Sequence, residues 1–193
     1  MKVYFHFSLS GFSNSYLVSN EENGEALIID PGKITMELIN NIEKNKLNLA
    51  AVLVTHNHPS HCQGIPTLMK LYTPKIYAVE AEVAEQKTIV LKEDGILKAA
   101  GLSVGFLSVP GHSSDSVAFK IGRILFTGDA LMAGLTGSTN NAYSRRTLEA
   151  TVQGKILSQD EDTLLMPGHG PPTSVGAEKR FNLTFSSPVG VSG

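Results

Sequence analysis

Five of this chain's six histidines stand in three short segments: His56, His58 and His61 close together, and His112 and His169 each directly after a Pro-Gly pair. His112 follows His56 by 56 positions and His169 follows His112 by 57, so side chains of one unusual type recur across most of the length. Burial alone does not select imidazole in loops. Any one of these residues taken singly reads as an ordinary loop or core histidine, but the set constrains the chain to a fold that returns repeatedly to one rim. Asp129, in the run Phe126-Thr127-Gly128-Asp129, supplies a carboxylate for that rim.

Imidazole nitrogens with a carboxylate oxygen suit zinc or iron, whereas calcium and magnesium take mostly oxygen donors. His56 and His58 are two apart, and in an extended segment they point the same way and can share one ion. His112 completes a three-nitrogen face, with Asp129 nearby. A second ion would need His61, His169 and a bridging Asp129. Position 60, where a further carboxylate would anchor that ion, is Ser60, whose neutral hydroxyl is a poor ligand for these metals. The expectation is one ion, or two with the second weakly held.

Other residues divide between site and scaffold. His6 alternates with aromatics in an N-terminal strand and reads as structural. Asp129 alone could be a turn or cap residue and takes the metal role from its company. Cys62 is a lone cysteine beside His61; such thiols are mostly buried and inert, and no internal disulfide is possible. Tyr143, Arg145 and Arg146 lie after Asp129 and are candidates to grip an anionic substrate group, against the competing reading of a solvated face. Asp30, at a strand end, is a candidate hydrogen-bond acceptor for a ligand imidazole.

The pattern of apolar residues predicts strands over 2–7, 15–19 and 26–30 as an antiparallel meander with a turn at 21–24, then an amphipathic helix over 34–46 from Ile34, Leu38 and Ile42. Residues 50–54 are wholly apolar and read as a buried strand ending where the histidine cluster begins. Beyond it the expectation is a helix over 65–71, a strand over 75–79, a helix over 80–86, strands over 103–109, 116–121 and 124–127, a helix over 145–157 and a strand over 163–166. Each candidate ligand then lies just past a strand end, on loops carried by a rigid sheet. Residues 1–184 read as a single domain, and the Ser-, Gly- and Pro-rich segment 185–193 as a disordered tail.

Hydrophobic residues make up 41% and charged ones 18%, with a net charge of −2, which argues against gross disorder and against a nucleic-acid partner. No apolar run approaches the roughly 20 residues that span a bilayer, and the start lacks the apolar segment of a signal peptide, so no membrane association and a cytoplasmic address are expected. The oligomeric state is left open.

These residues resemble the metallo-β-lactamase superfamily, whose metal motif H-x-H-x-D-H is followed by a later His, an Asp and a final His; the order here is His56, His58, His61, His112, Asp129, His169. Ile29-Asp30-Pro31-Gly32, Pro110-Gly111-His112-Ser113 and Met166-Pro167-Gly168-His169-Gly170-Pro171 look like further landmarks of that family. The resemblance implies a four-layer αββα sandwich, two mixed β-sheets face to face with helices outside. The compact length is most similar to short glyoxalase II-like hydrolases without their C-terminal helical domain. Two positions depart: Ser60 replaces the motif aspartate, and Gly137-Ser138 stands where a Gly-Arg pair is often found.

The resemblance implies a metal-dependent hydrolase of a small ester or thiol-derived thioester, working through metal-bound hydroxide, with zinc held by His56, His58 and His112 near Asp129 and an impaired second site. Catalysis would then rest on Asp129, His56 and His58. Two alternatives remain: a mononuclear non-haem iron persulfide dioxygenase using His56, His112 and Asp129, and a non-catalytic member with a disabled site.

Overall fold

Strand alternation sets the layers. In a computed structural model, which describes residues 1–9 and 11–185, the chain opens with β1 (Lys2–Phe7), β2 (Asn14–Ser19) and β3 (Glu25–Ile29), an antiparallel meander as expected. Helix α1 (Met36–Lys44) follows; Thr35 caps it by accepting from the Leu38 N–H, and it buries Leu38 and Ile42. Strands β4 (Asn48–Leu53) and β5 (Lys75–Ala78) then add in parallel, joined through the short helix α2 (Pro59–Cys62) and α3 (Ile65–Leu71).

A small hairpin, β6 (Glu82–Val83) with β7 (Gln86–Lys87), leads to β8 (Ile89–Val90), which closes the first sheet beside β5. The second sheet is built from β9 (Gly95–Ala99), β10 (Leu102–Ser108), β11 (Val117–Ile121), β12 (Ile124–Gly128), β15 (Leu164–Pro167) and β16 (Thr173–Ser174). Its pairs are antiparallel except β12 with β15. A two-stranded ribbon of β13 (Leu131–Met132) and β14 (Leu135–Thr136) and helix α4 (Ala142–Thr151), which runs into a π-helical turn at Val152–Ile156, separate β12 from β15; α5 (Val175–Phe181) ends the described fold.

Three cores separate four layers. Between the sheets lie Tyr16, Val18, Leu27, Ile29, Leu53, Phe119 and Phe126. Their sequence neighbours face outward: Leu17, Ile28 and Val52 meet Leu38, Ile42, Ile65 and Leu68 of α1 and α3, while Ala118, Leu125 and Leu165 meet Leu148, Val152 and Val175 of α4, its extension and α5. Because the side-chain period of a strand is two, an unbroken apolar run such as Leu49 to Leu53 of β4 is one that is covered on both faces. This is the expected αββα sandwich of two mixed sheets.

Several element expectations are corrected. Residues 80–86 form no helix: Ala84 and Glu85 take positive φ (48° and 62°), which turns the chain back as the β6–β7 hairpin. The helix expected over 145–157 starts at Ala142, because Asn141 accepts from the Ser144 N–H at 2.8 Å and caps it. Strand β9 and helix α5 had no counterpart in the sequence reading, and His61 lies on α2 rather than in a loop. Of the tail expected over 185–193, Phe185 lies in a turn and packs against the outer core of the second sheet, whereas 186–193 lie outside the described residues. Among the described residues no helix is long and apolar enough to cross a membrane.

Candidate metal centre

The ends of β4, β10, β12 and β15 face the same rim and carry the candidate ligands. Directly after β4 the chain turns through His56 and His58 into α2, with the loop held by the Asn57 N–H donating to the buried Asp115 carboxylate at 2.7 Å. His112 follows β10, Asp129 follows β12 and His169 follows β15. Tyr16 Oη and Asn14 Nδ2 both donate to the Pro167 carbonyl, at 2.6 and 2.9 Å, fixing the last of these turns against β2.

Two groups of donor atoms converge there: His56, His58 and His112, and His56, His61 and Asp129, in each of which every ligand atom lies within 4.8 Å of the others. His58 Nδ1 and His112 Nε2 are 3.2 Å apart. Asp129 Oδ2 lies 3.8 Å from His56 Nε2, 3.5 Å from His61 Nε2 and 3.7 Å from His112 Nε2. Donors bonded tetrahedrally to zinc at about 2.0–2.1 Å would be separated by roughly 3.4 Å, so these spacings are close to those of a coordination shell.

The outward nitrogens of His56, His61 and His112 are engaged, which turns their other nitrogens toward the centre. His112 Nδ1 donates to the Ser138 carbonyl at 2.9 Å, and His61 Nδ1 to Asp30 Oδ2 at 3.1 Å. Thr55 Oγ1 donates to Asp30 Oδ2 at 2.6 Å and so accepts from His56 Nδ1 at 3.1 Å. The carboxylate of Asp30 thereby sets the tautomer of two imidazoles, directly for His61 and through Thr55 for His56. The inward Nε2 atoms of His56 and His61 are buried with no hydrogen-bond partner, an arrangement that costs stability unless something polar or metallic meets them. A transition-metal ion fits this donor set.

Electrostatics point the same way. Burial first, then the charge of His61, lowers the His56 pKa to about 3, so it is a neutral ligand at neutral pH. Burial and then His112 likewise lower that of His58. For Asp129 burial acts upward, but the hydrogen bond from His169 and the His61 imidazole 3.5 Å away outweigh it and hold the carboxyl well below the usual range. His61 is opposed by burial yet raised on balance by Asp30 and Asp129.

His169 is in neither group. Its Nδ1 meets Asp129 Oδ1 at 2.7 Å and its Nε2 meets the Gly11 carbonyl at 3.0 Å, so both nitrogens face oxygen acceptors. The Asp129 hydrogen bond, foremost, raises its pKa. Ser60 stands beside this corner with its carbonyl accepting from Ser13 Oγ at 2.7 Å, and a Cβ built on Gly11 would lie 3.1 Å from Ser60 Cβ. Gly168 must be small: an added Cβ would lie 2.5 Å from Asp129 Oδ1 and 2.6 Å from His61 Cε1.

Of the remaining candidates, Tyr143 lines a cavity next to His112, whereas Arg145 and Arg146 do not; they sit on other faces of α4, and Arg145 Nε donates to Glu149 Oε1 at 2.7 Å. Cys62 is buried, with burial foremost lifting its thiol to about 11, and it donates to the His58 carbonyl at 3.2 Å, a packing role. His6 is buried and meets Thr35 Oγ1 at 3.1 Å. Asn14, Thr55 and Asp115 were missed in the sequence; only Asp115, three residues after His112, carried a local signal.

The family model of the metallo-beta-lactamase superfamily matches residues 10–173. An uncharacterised protein of Mycobacterium tuberculosis is 32% identical over 88% of this chain and 91% of its own length, and the hydroxyacylglutathione hydrolase GloC of Haemophilus influenzae is 30% identical over 90% and 93%. The crystal structure of TTHA1623 in a di-iron-bound form superposes with a TM-score of 0.78 at 27% identity, covering 94% of this chain and all of that one. With its αββα layers, its rim of imidazoles around one aspartate and a family match over most of its length, the chain belongs to the metallo-beta-lactamase superfamily.

Proposed function

We propose that this protein is a metal-dependent hydrolase of small thioesters or esters that works with one firmly held ion. The observation that carries the reading is the convergence of His56 Nε2, His58 Nδ1, His112 Nε2 and Asp129 Oδ2, with the outward nitrogens of His56 and His112 engaged and the buried His56 Nε2 left without a partner. These four residues would hold the ion. When bound, such an ion supplies Lewis acidity and makes a water more acidic.

The protein's own groups do the rest. His169 fixes Asp129 Oδ1, which directs Oδ2 toward the imidazoles. Neutral His56 and His58 are available as ligands without first losing a proton. The thioester class is supported by the likeness to the Haemophilus hydrolase.

Single-ion stoichiometry rests on three features. The two donor groups share His56, His169 is spent on Asp129 and Gly11, and Ser60 offers no carboxylate. The metal is zinc by preference of the donor set, with iron as the alternative, which the di-iron relative supports.

Elemental analysis of protein purified without chelator tests the stoichiometry, and cleavage of a panel of acyl thioesters tests the activity. One zinc per chain with thioester hydrolysis is expected, and Ser60→Asp should raise a second equivalent. Two tightly held equivalents in the unaltered protein refute the single-ion reading. Iron with oxygen uptake on a persulfide, and no thioester cleavage, transfers the protein to the dioxygenase class.

A further inference from the structure

Beside the metal rim lies a cavity of about 460 Å³ whose walls are the turn from Pro110 to Ser114 and the first two turns of α4. Its volume is within the range of small-molecule sites. The walls are held in place. Gly111 packs so closely on α4 that a Cβ there would collide with Leu148, and Thr151 Oγ1 lies 3.3 Å from the Pro110 carbonyl. The Asn141 cap starts the helix early enough to bring Tyr143, Ser144 and Thr147 to the cavity. His112 is shared with the donor cluster, so a ligand in the cavity touches a residue of that cluster.

The lining is hydroxyl and amide, with no lysine or arginine: Ser113, Ser114, Asn140, Tyr143, Ser144 and Thr147 supply its polar groups. The side chains of Ser114, Asn140, Tyr143 and Ser144 make no hydrogen bond within the described protein, so their donors and acceptors are free for a ligand. The nearest arginine along the helix with a partner, Arg145, is turned away and paired with Glu149. A carboxylate entering here would shed water without gaining a counter-charge, whereas a neutral hydroxyl or amide would exchange one hydrogen-bond partner for another. The cavity is also larger than a two- or three-carbon acyl group, so the thiol portion of a thioester fills it better.

Resting on the hydrolase reading above, we propose that this cavity binds the thiol arm of the substrate and selects an uncharged, amide- and hydroxyl-bearing thiol over an anionic one. The walls formed by Ser114, Asn140, Tyr143 and Ser144 are the specificity determinants.

Calorimetry on the zinc-loaded protein with two non-hydrolysable thioethers, S-methylpantetheine (neutral) and S-methylglutathione (anionic), tests this without turnover. The pantetheine thioether should bind at least about tenfold tighter, the discrimination expected when one charge-assisted hydrogen bond is missing. Thr147→Lys, which places a cation in the lining, should shrink or invert that ratio. Asn140→Lys does the same from outside the helix should the first variant fold poorly. Equal or tighter binding of the glutathione thioether by the unaltered protein, no binding of the pantetheine thioether, or a ratio that neither lysine moves overturns the proposal. Selective binding of the pantetheine thioether, with no hydrolysis of either acetyl thioester, upholds the cavity's selectivity and counts against the hydrolase reading alone.

Discussion

Replacing Asp30 by Asn changes one atom of the side chain yet should reset two imidazoles of the rim, one of them the proposed ligand His56. Asp30 is 2% exposed and accepts from the Thr55 N–H at 2.8 Å, from Thr55 Oγ1 at 2.6 Å and from His61 Nδ1 at 3.1 Å. Its backbone is left-handed, with φ 51°, a conformation Asn tolerates as well as Asp, so the substitution adds no backbone strain. Its amide, however, can keep the Thr55 N–H only by turning its NH₂ toward Thr55 Oγ1 and His61 Nδ1.

Thr55 Oγ1 must then donate to His56 Nδ1, and His61 must accept at Nδ1. In the His56 ring the proton moves to Nε2, the nitrogen that faces the donor cluster, and His61 keeps a proton there. Loss of such a supporting partner commonly lowers metal affinity 10- to 100-fold. Of the four residues proposed to hold the ion, His56 is the one that depends on this carboxylate, so a loss of about tenfold, about 1.4 kcal/mol, is expected.

Competition with a chromophoric chelator measures the affinity. Nitrogen-detected NMR of the metal-free protein reads the tautomers directly, and its melting temperature checks that the fold persists. Asp30→Asn binding metal within threefold of the unaltered protein, while folded, would refute the idea that Asp30 sets the ligand tautomers.

Gly168→Ala should lower metal affinity and melting temperature together, because the added methyl must displace the Asp129 carboxylate or the His61 ring; overpacking of this kind costs about 1–3 kcal/mol, and an unshifted melting curve would count against the close contact. The chelated protein should be most stable near pH 6.5. His56, lowered to about 3 by burial, binds fewer protons folded than unfolded, so its contribution is present above the unfolded value of about 6.5 and is lost as pH falls. His61 is raised, so its contribution is complete below about 6.5 and is lost as pH rises toward about 10. Melting temperatures across pH in His56→Gln and His61→Gln should show the acid and alkaline limbs flattened respectively; a stability that climbs steadily to pH 9 contradicts the assignment.

Much of this protein was legible in the order of its residues. The wholly apolar run 50–54 marks a strand covered on both faces, the Leu38–Ile42 spacing marks α1, and a histidine or aspartate after each of β4, β10, β12 and β15 marks the rim. These signals are local: they depend on a period of two or 3.6 and on the residue that follows an apolar run. Residues 80–86 misled because Ala84 and Glu85 carry no mark of a left-handed turn, neither being Gly or Asn, and tertiary pairing overrode their helix preference.

Sequence alone determined which donors this rim has and which it lacks, because the identity of a ligand atom is fixed by the side chain that bears it. Only the tertiary structure decided how each donor is used. His169 turns both nitrogens to oxygen atoms, one of them the carbonyl of Gly11 158 positions away, and Asp30 reaches two histidines at once through Thr55. Such assignments depend on hydrogen bonds that are satisfied only when distant segments pack within about 3 Å, and no local spacing encodes that distance.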